Sequence, residues 1–468
     1  MVKIDKPLES GASGQAGGVV DPTGEPTEVT RRATPGSARA AWQHRTFRMV
    51  YLGAFTSSIG TWMQNVVLGA LAYNLTHSAV FVGIMAFAQL GPLLLFSTLG
   101  GMLADSFDRK KLLIILTAEQ GIGSVALGYL AFADSPSKAA LVGVVFLIGV
   151  GNALYAPVFS AILPVLVPRR DISGAISLNS VQMNASRVVG PAIGSVLYAS
   201  IGAAWVFQLN ALSYLAVIFV LLRGALPDPP DAGATGWRRL VGGITVARAD
   251  RVVAQCLIVV ATFSLLCLPF ITQMPSIADR HFGIDPKSTS YGLLYGAFGV
   301  GAVVGALSIG TIFAQADKAR LTRRAMVGFA ALLTIFGALR VTWMAYVAVL
   351  LVGTCYFAVI TSLSTVLQEK IDDADRGKVM AWWIMGFGGV VPIGGLVGGW
   401  LMDVTSIELV LGGGALVAVA LAATFDLRTP PDQVDDQFGH HVPRRNEPNV
   451  PTGLPPATPT GEIPAVTV

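Results

Sequence analysis

Charge is what this chain has least of. Only 13% of its 468 residues are Asp, Glu, Lys or Arg, while 53% are hydrophobic and the mean hydropathy is +0.63. A soluble domain carries about 25% charged residues, so this chain cannot cover a water-facing surface and reads as a multi-spanning membrane protein. Cysteine is scarce too. Cys256, Cys267 and Cys355 lie in apolar runs, an odd number that gives no disulfide framework. A phosphate-cradling Walker loop is missing, so ATP hydrolysis does not power the chain. No Cys/His spacing suits zinc, and the adjacent His440 and His441 of a Pro-rich tail read as solvated. The glycines of "GFGGVVPIGG" follow no strand and lie within an apolar span, which argues against nucleotide binding. Neither enzymatic activity nor any cofactor or metal is expected. The net charge of +4 sits in loops, so no nucleic-acid partner is expected. No apolar segment follows the early charges before residue 46, so the start does not read as a signal peptide.

What is present is a series of long apolar runs between two polar tails. Residues 1–45 and 428–468 are rich in Gly, Pro, Ser and Thr, lack apolar periodicity and read as disordered. Between them, runs near 48–74, 79–104, 112–133, 139–166, 175–200 and 203–223 each suffice to span a bilayer, which takes about 20 apolar residues. Six more follow near 252–278, 289–314, 325–341, 343–367, 379–402 and 406–426. The expected fold is all-α, with twelve transmembrane helices in two pseudo-symmetric six-helix bundles, 46–224 and 251–427. The connecting segment 225–250 contains a Pro/Gly linker. It should also hold an amphipathic helix with Trp237, Leu240, Ile244 and Val246 on its apolar side, lying along the membrane surface.

Basic residues set the orientation. Alternate loops hold seventeen, among them Arg109, Lys110, Lys111, Arg169, Arg170, Arg238, Arg239, Lys318 and Arg376; the opposite loops hold four, Lys138, Arg280, Lys287 and Arg340. The positive-inside rule then places both termini in the cytoplasm.

The halves echo each other. Residues 82–111 align with 291–320 at a constant offset of 209, so that Gly83 falls on Gly292, Gly101 on Gly310 and Arg109 on Lys318, while Asp105 meets Ala314. A weaker echo links "RVVGPAIGSVL" (187–197) with "GGVVPIGGLVGGWL" (388–401). Duplicated six-helix halves point to a transporter whose substrate path runs between them near the midplane.

Ionisable groups inside a bilayer are costly and therefore informative. Two lie well within spans: Glu119 in the third and Arg187 in the fifth. Glu119 is a candidate proton carrier, and Arg187 either binds an anionic substrate group or serves a structural bond. Asp105, Asp279, Glu369 and Asp403 sit near span ends, where simple hydration explains them. Gln64, Asn65, Asn152, Asn184 and Gln273 are candidate uncharged cavity contacts, and Trp62, Tyr155, Phe159, Phe298, Trp382 and Trp383 a candidate aromatic lining.

The loop "GGMLADSFDRKK" (100–111) between the second and third spans resembles the signature of the major facilitator superfamily, with Gly101, Leu103, Ala104, Asp105, Asp108, Arg109, Lys110 and Lys111 matching. The resemblance extends over roughly residues 46–427. "GTWMQNVVLGALAYNLTHSAVFVGI", "LVPRRDISGAISLNSVQMNASRVVGPAIG" and "DDADRGKVMAWW" are similar to the enterobactin-exporter-like, transmembrane-secretion-effector branch. The resemblance implies a conformational latch of Gly101, Asp105 and Arg109. Asp105 would face the positive end of the eleventh helix, and Arg109 would hold Asp105 or pair with Asp171. The plainer alternative is a topology anchor, which suffices for Lys110 and Lys111. "RVVGPAIG" resembles the Gly-Pro motif of export-type members, so Gly190, Pro191 and Gly194 would bend or thin the fifth helix where the halves meet, with Ser195 replacing a further glycine. The first span lacks the acidic residue that several cation-exporting relatives carry.

The expectation is a bacterial inner-membrane, multi-pass secondary transporter that works as a monomer among membrane lipids. It would export a small amphipathic molecule, siderophore-like or drug-like, by proton-coupled alternating access. The alternatives are uptake or flipping of an amphiphile such as a lysolipid, and a non-transporting membrane scaffold or sensor.

Overall fold

The computed structural model describes residues 34, 36–133, 135–223, 243 and 245–427, except for the side chains of 97, 98, 101, 104–106, 373 and 374. Among the described residues, a short helix, α1 (Ala38–Gln43), precedes twelve helical rods. The first six are α2 (Arg45–Thr76), α3 and α4 (Ala79–Leu90 and Pro92–Ser106), α5 (Arg109–Phe132), α6 (Lys138–Ile162), α7 (Ile172–Ile201) and α8 (Ala203–Arg223). The seventh is broken into α9 (Arg251–Cys267), α10 (Pro269–Thr272) and α11 (Met274–Phe282). Then come α12 (Thr289–Gly310), α13 (Lys318–Ala338) and α14 (Thr342–Lys370). The eleventh rod joins α15 (Asp373–Ile384) to α16 (Val391–Val404) through a π-helical turn at Met385–Gly389, and α17 (Ile407–Thr424) closes the set.

Among the described residues, nine stretches are long and apolar enough to cross a bilayer. The three rods outside that set are α2, α7 and α9–α11. The first two carry Ser, Asn and Gln along their length, with Thr as well in α2, and prolines at 269 and 275 interrupt the third. Outward-facing leucines such as Leu212, Leu215 and Leu222 on α8 and Leu409 and Leu416 on α17 are exposed, as a lipid-facing surface requires.

The rods begin where short polar side chains can take up free backbone N–H groups. Asp108 of the signature loop accepts from the Lys110 and Lys111 amides and starts α5, and Asp317 accepts from the Arg320 amide and starts α13. These two caps occupy equivalent positions in the 209-residue repeat, so the duplication preserves a helix start where it loses Asp105.

Within the first half α2 packs on α7 and α8, and α5 on α6 and α8; within the second, α14 packs on α12 and α13, and α17 on α13. The halves meet chiefly through two pairs, α3 with α16 and α7 with α12. Gly83 and Gly292, aligned by the repeat, lie at these two contacts. A Cβ on Gly83 would stand 2.8 Å from the Leu396 Cα, and one on Gly292 would collide with the Ser195 side chain.

Ordered structure begins earlier than the composition of the first 45 residues predicts. Ser37 caps α1, and Ala40 and Ala41 are buried. Of the expected linker helix, Trp237, Leu240 and Ile244 lie outside the described residues. Residues 245–249 are helical, and a Cβ on Gly243 would lie 2.6 Å from the Lys378 carbonyl oxygen, so the end of the linker rests on α15. The tail from 428 also lies outside the described residues.

Candidate functional site

A cavity of about 530 Å³ lies between the two halves. Its two walls differ in chemistry. The first half contributes nearly all of the amide and aliphatic hydroxyl groups, including Ser57, Asn65, Gln89, Gln120, Asn152 and Gln182, together with the rings of Trp62, Tyr155, Phe159 and Tyr214. The second contributes rings, Tyr291, Tyr295 and Phe298 from α12 and Tyr356 and Phe357 from α14. The polar wall is held in shape by its own bonds. Gln89 donates to Asn65, Gln182 donates to the Ser58 hydroxyl at 2.6 Å, and the Thr61 and Tyr214 hydroxyls are 3.1 Å apart. Tyr155 and Phe159 stack at 5.6 Å.

Arg187 enters this cavity from α7. Its guanidinium carbon lies 5.4 Å from the Trp62 ring centroid and 5.5 Å from that of Phe357, so the cation is held between a ring of each half. Its Nε is shut off from solvent and has no hydrogen-bond partner. Among the described lining residues it alone carries a formal charge.

Of the uncharged residues expected at a cavity, Asn65 and Asn152 line it; Gln64, Asn184 and Gln273 do not. Gln64 is buried in a knot within the first half, its carbonyl accepting from Ser124 at 2.8 Å and Asn210 at 2.9 Å. Asn184 donates to the Ser180 carbonyl of its own helix at 2.8 Å. Gln273 donates to the carbonyls of Ala79 and Gly395, both at 2.9 Å, and so ties the two halves together. Trp62, Tyr155, Phe159 and Phe298 line the cavity, whereas Trp382 and Trp383 stand away from it. Glu119 is absent from the lining. Its Oε2 is buried without a partner against Gly151 of α6, while the neighbouring Gln120 and Asn152 face the cavity.

The Gly-Pro motif does not thin α7 at the contact between halves. Gly190 and Gly194 admit α2 of the same half: a Cβ on Gly190 would stand 2.5 Å from the Trp62 Cβ, and one on Gly194 2.9 Å from the Met63 Cα. Pro191 has no N–H for the Arg187 carbonyl four residues back. A Cβ on Gly299 of α12 would stand 3.2 Å from that carbonyl oxygen. The side chains of Gly101 and Asp105 lie outside the described residues; both positions are helical within α4, and Arg109 opens α5. Asp171, expected to be available to Arg109, is engaged elsewhere. It accepts from the Gly36 amide at 3.1 Å, lies 2.9 Å from His44 Nε2, and has Arg170 at 3.9 Å. The His44 bond, then the Gly36 amide, holds its carboxyl below the usual aspartate range.

The residues missed in sequence are Tyr291, Tyr295, Tyr356 and Phe357 with Gln89, Gln120 and Gln182. For all but Phe357 the available signal was a phenol or amide deep in an apolar run, where the polar group needs a partner or water.

At the end away from the basic loops the halves are locked. Asp403, expected to be merely hydrated, lies 2.7 Å from Arg280 and accepts from the Ser78 hydroxyl and Val80 amide, both at 3.0 Å, and from the Ala79 amide at 3.3 Å. It thereby caps α3 of the other half. Tyr73 donates to Asp279 at 2.8 Å, and Arg280 donates to the Tyr73 hydroxyl at 3.2 Å and to the His77 carbonyl at 2.6 Å.

Comparison with known proteins agrees with this arrangement. The family described as transmembrane secretion effector matches residues 36–455. The enterobactin exporter EntS of Shigella boydii serotype 4 (strain Sb227) is 26% identical over 349 residues, covering 73% of this chain and 81% of that protein. EntS of Escherichia coli O139:H28 (strain E24377A / ETEC) gives the same identity and coverage. Among solved structures, the nucleoside transporter NupG superposes with TM-score 0.66 at 15% identity, over 81% of this chain and 97% of that one. A bacterial homologue of the iron transporter ferroportin, in an inward-facing state, gives 0.64 at 15% identity over 82% and 99%.

Proposed function

Since the chain belongs to the transmembrane secretion effector family of major facilitator transporters, we propose that it exports a small amphipathic, siderophore-like molecule by alternating access. The observation that carries this reading is the cavity of about 530 Å³ between the halves, with amides and hydroxyls concentrated on one wall and rings on both. A site of that size and mixed character suits a small molecule with both ring and polar groups. The relatives named enterobactin exporters support export as the direction and a siderophore-like compound as cargo.

The imbalance of basic loops supports a cytoplasmic basic end, with both termini on that side, in the inner membrane. On that orientation the lock around Asp403 closes the outer end, and the state is the one that loads from the cytoplasm. Glu119 is our candidate for proton coupling. Its unpartnered oxygen lies one residue from the cavity-lining Gln120, where proton gain and loss can be felt by the site.

The test is flux in inside-out vesicles carrying the chain, with a panel of labelled catecholate, hydroxamate and carboxylate siderophores. Accumulation of at least one class, stimulated by an acid-inside gradient, is expected. Glu119→Gln should keep binding and lose the stimulation. Accumulation confined to right-side-out vesicles would instead establish uptake.

A further inference from the structure

Arg187 leaves the cavity with a charge that nothing in its described walls neutralises. Its Nε is unpartnered, and it joins no ion pair among the described residues. The guanidinium carbon lies within cation–π range of both the Trp62 and Phe357 rings, which attract the cation but offer its N–H groups no carboxylate partner. The carbonyl of its own residue, freed by Pro191, is met by Gly299 from the other half. A burial this costly is offset when a ligand brings the opposite charge. A planar guanidinium fork also matches a planar carboxylate bidentately.

We propose that Arg187 makes the cavity selective for anions carried next to an aromatic ring: the anion bonds to the guanidinium edge while the ring packs among Tyr295, Phe298, Tyr356 and Phe357. This rests on the reading of the cavity as the transport site and names the chemical class of its cargo. A cation of the same shape meets an uncompensated positive charge and is rejected.

The test uses the purified full chain in lipid nanodiscs and three probes of one shape: 2-naphthoate, neutral 2-naphthamide and the cation 2-naphthylmethylammonium. At pH 7 the carboxylate is fully ionised, its ordinary pKa being about 4. Binding at least tenfold tighter for naphthoate than for naphthamide is expected, with the cation weaker still. In Arg187→Gln the ratio should collapse to near unity, and in Arg187→Lys it should be partly kept; a size-exclusion profile and melting curve confirm that each variant is folded. Equal affinity for naphthoate and naphthamide in the unaltered chain overturns the proposal, as does a preference that survives Arg187→Gln or an absence of binding by all three. Selective binding without flux in proteoliposomes sinks the export reading and leaves this one standing. Siderophore flux that is blind to charge does the reverse.

Discussion

Asp171 ties the segment before the first rod to the start of α7 through the Gly36 amide and His44. Because the folded state depresses its carboxyl, it contributes stability that is fully present above the unfolded value of about 4 and is lost as the pH falls through the lower, folded value. Hydrogen exchange of the Ala38–Gln43 amides should therefore show no loss from Asp171 between pH 8 and about 5, and should speed up below that range. Asp171→Asn removes the charge at every pH and should leave α1 unprotected throughout. Protection unchanged in the variant would mean that the buried Ala40 and Ala41 hold the segment alone. At the same scale, one step along a helix decides a residue's role. Gln64 and Asn65 are neighbours in sequence, yet about 100° apart around α2. One is used up by Ser124 and Asn210, and the other faces the cavity.

The contact between α16 and the start of α3 is the element that must part if the end opposite the basic loops is to open. Asp403 supplies three of its bonds at once, to the Ser78 hydroxyl and the first two amides of α3, while Arg280 of its own half holds the carboxylate in place. A hydrogen bond to a charged group is worth about 1.5–3 kcal/mol, so Asp403→Asn should shift the balance of states roughly tenfold toward opening there. Spin labels on cysteines introduced at Lys138 and Lys287, one in each half at that end, should report a longer separation in the variant. An unaltered distribution would show that Gln273 and the packed glycines suffice to keep the end shut. Much of this architecture was legible in the chain. The repeat placed Gly83 and Gly292 in equivalent roles, and both proved to be where one half admits the other. The bonds of Asp403 and Gln273 were not legible, because a polar residue at a span end looks alike whether it meets water or the backbone of a segment more than a hundred residues away. The division of the cavity into an amide-rich and a ring-rich wall was hidden for a related reason: its lining is gathered from most of the rods, and no single run of sequence shows which of its side chains face inward.

At the scale of the whole molecule, two devices sit at opposite ends of a rigid pair of bundles. The Asp403 lock holds one end closed in this state. The signature loop at the other end, with Asp105 on α4, is proposed to hold the alternate state. Rods of twenty or more residues separate them by about 30 Å at 1.5 Å per residue, far beyond the 7–10 Å at which substitutions couple directly. They act on one equilibrium from opposite sides, so their effects should subtract. Asp105→Asn should shorten the Lys138–Lys287 label separation by favouring the state that Asp403 locks, and Asp403→Asn should lengthen it. The double variant should return close to the original distribution, because independent free energies add in a two-state system. Flux should be cut in both single variants, since an equilibrium displaced either way starves one half of the cycle. If Asp105→Asn lengthens the separation, or the double variant lies outside the range of the two singles, the loop is not the counterpart of the lock and is a topology anchor whose basic residues fix the chain's orientation in the membrane.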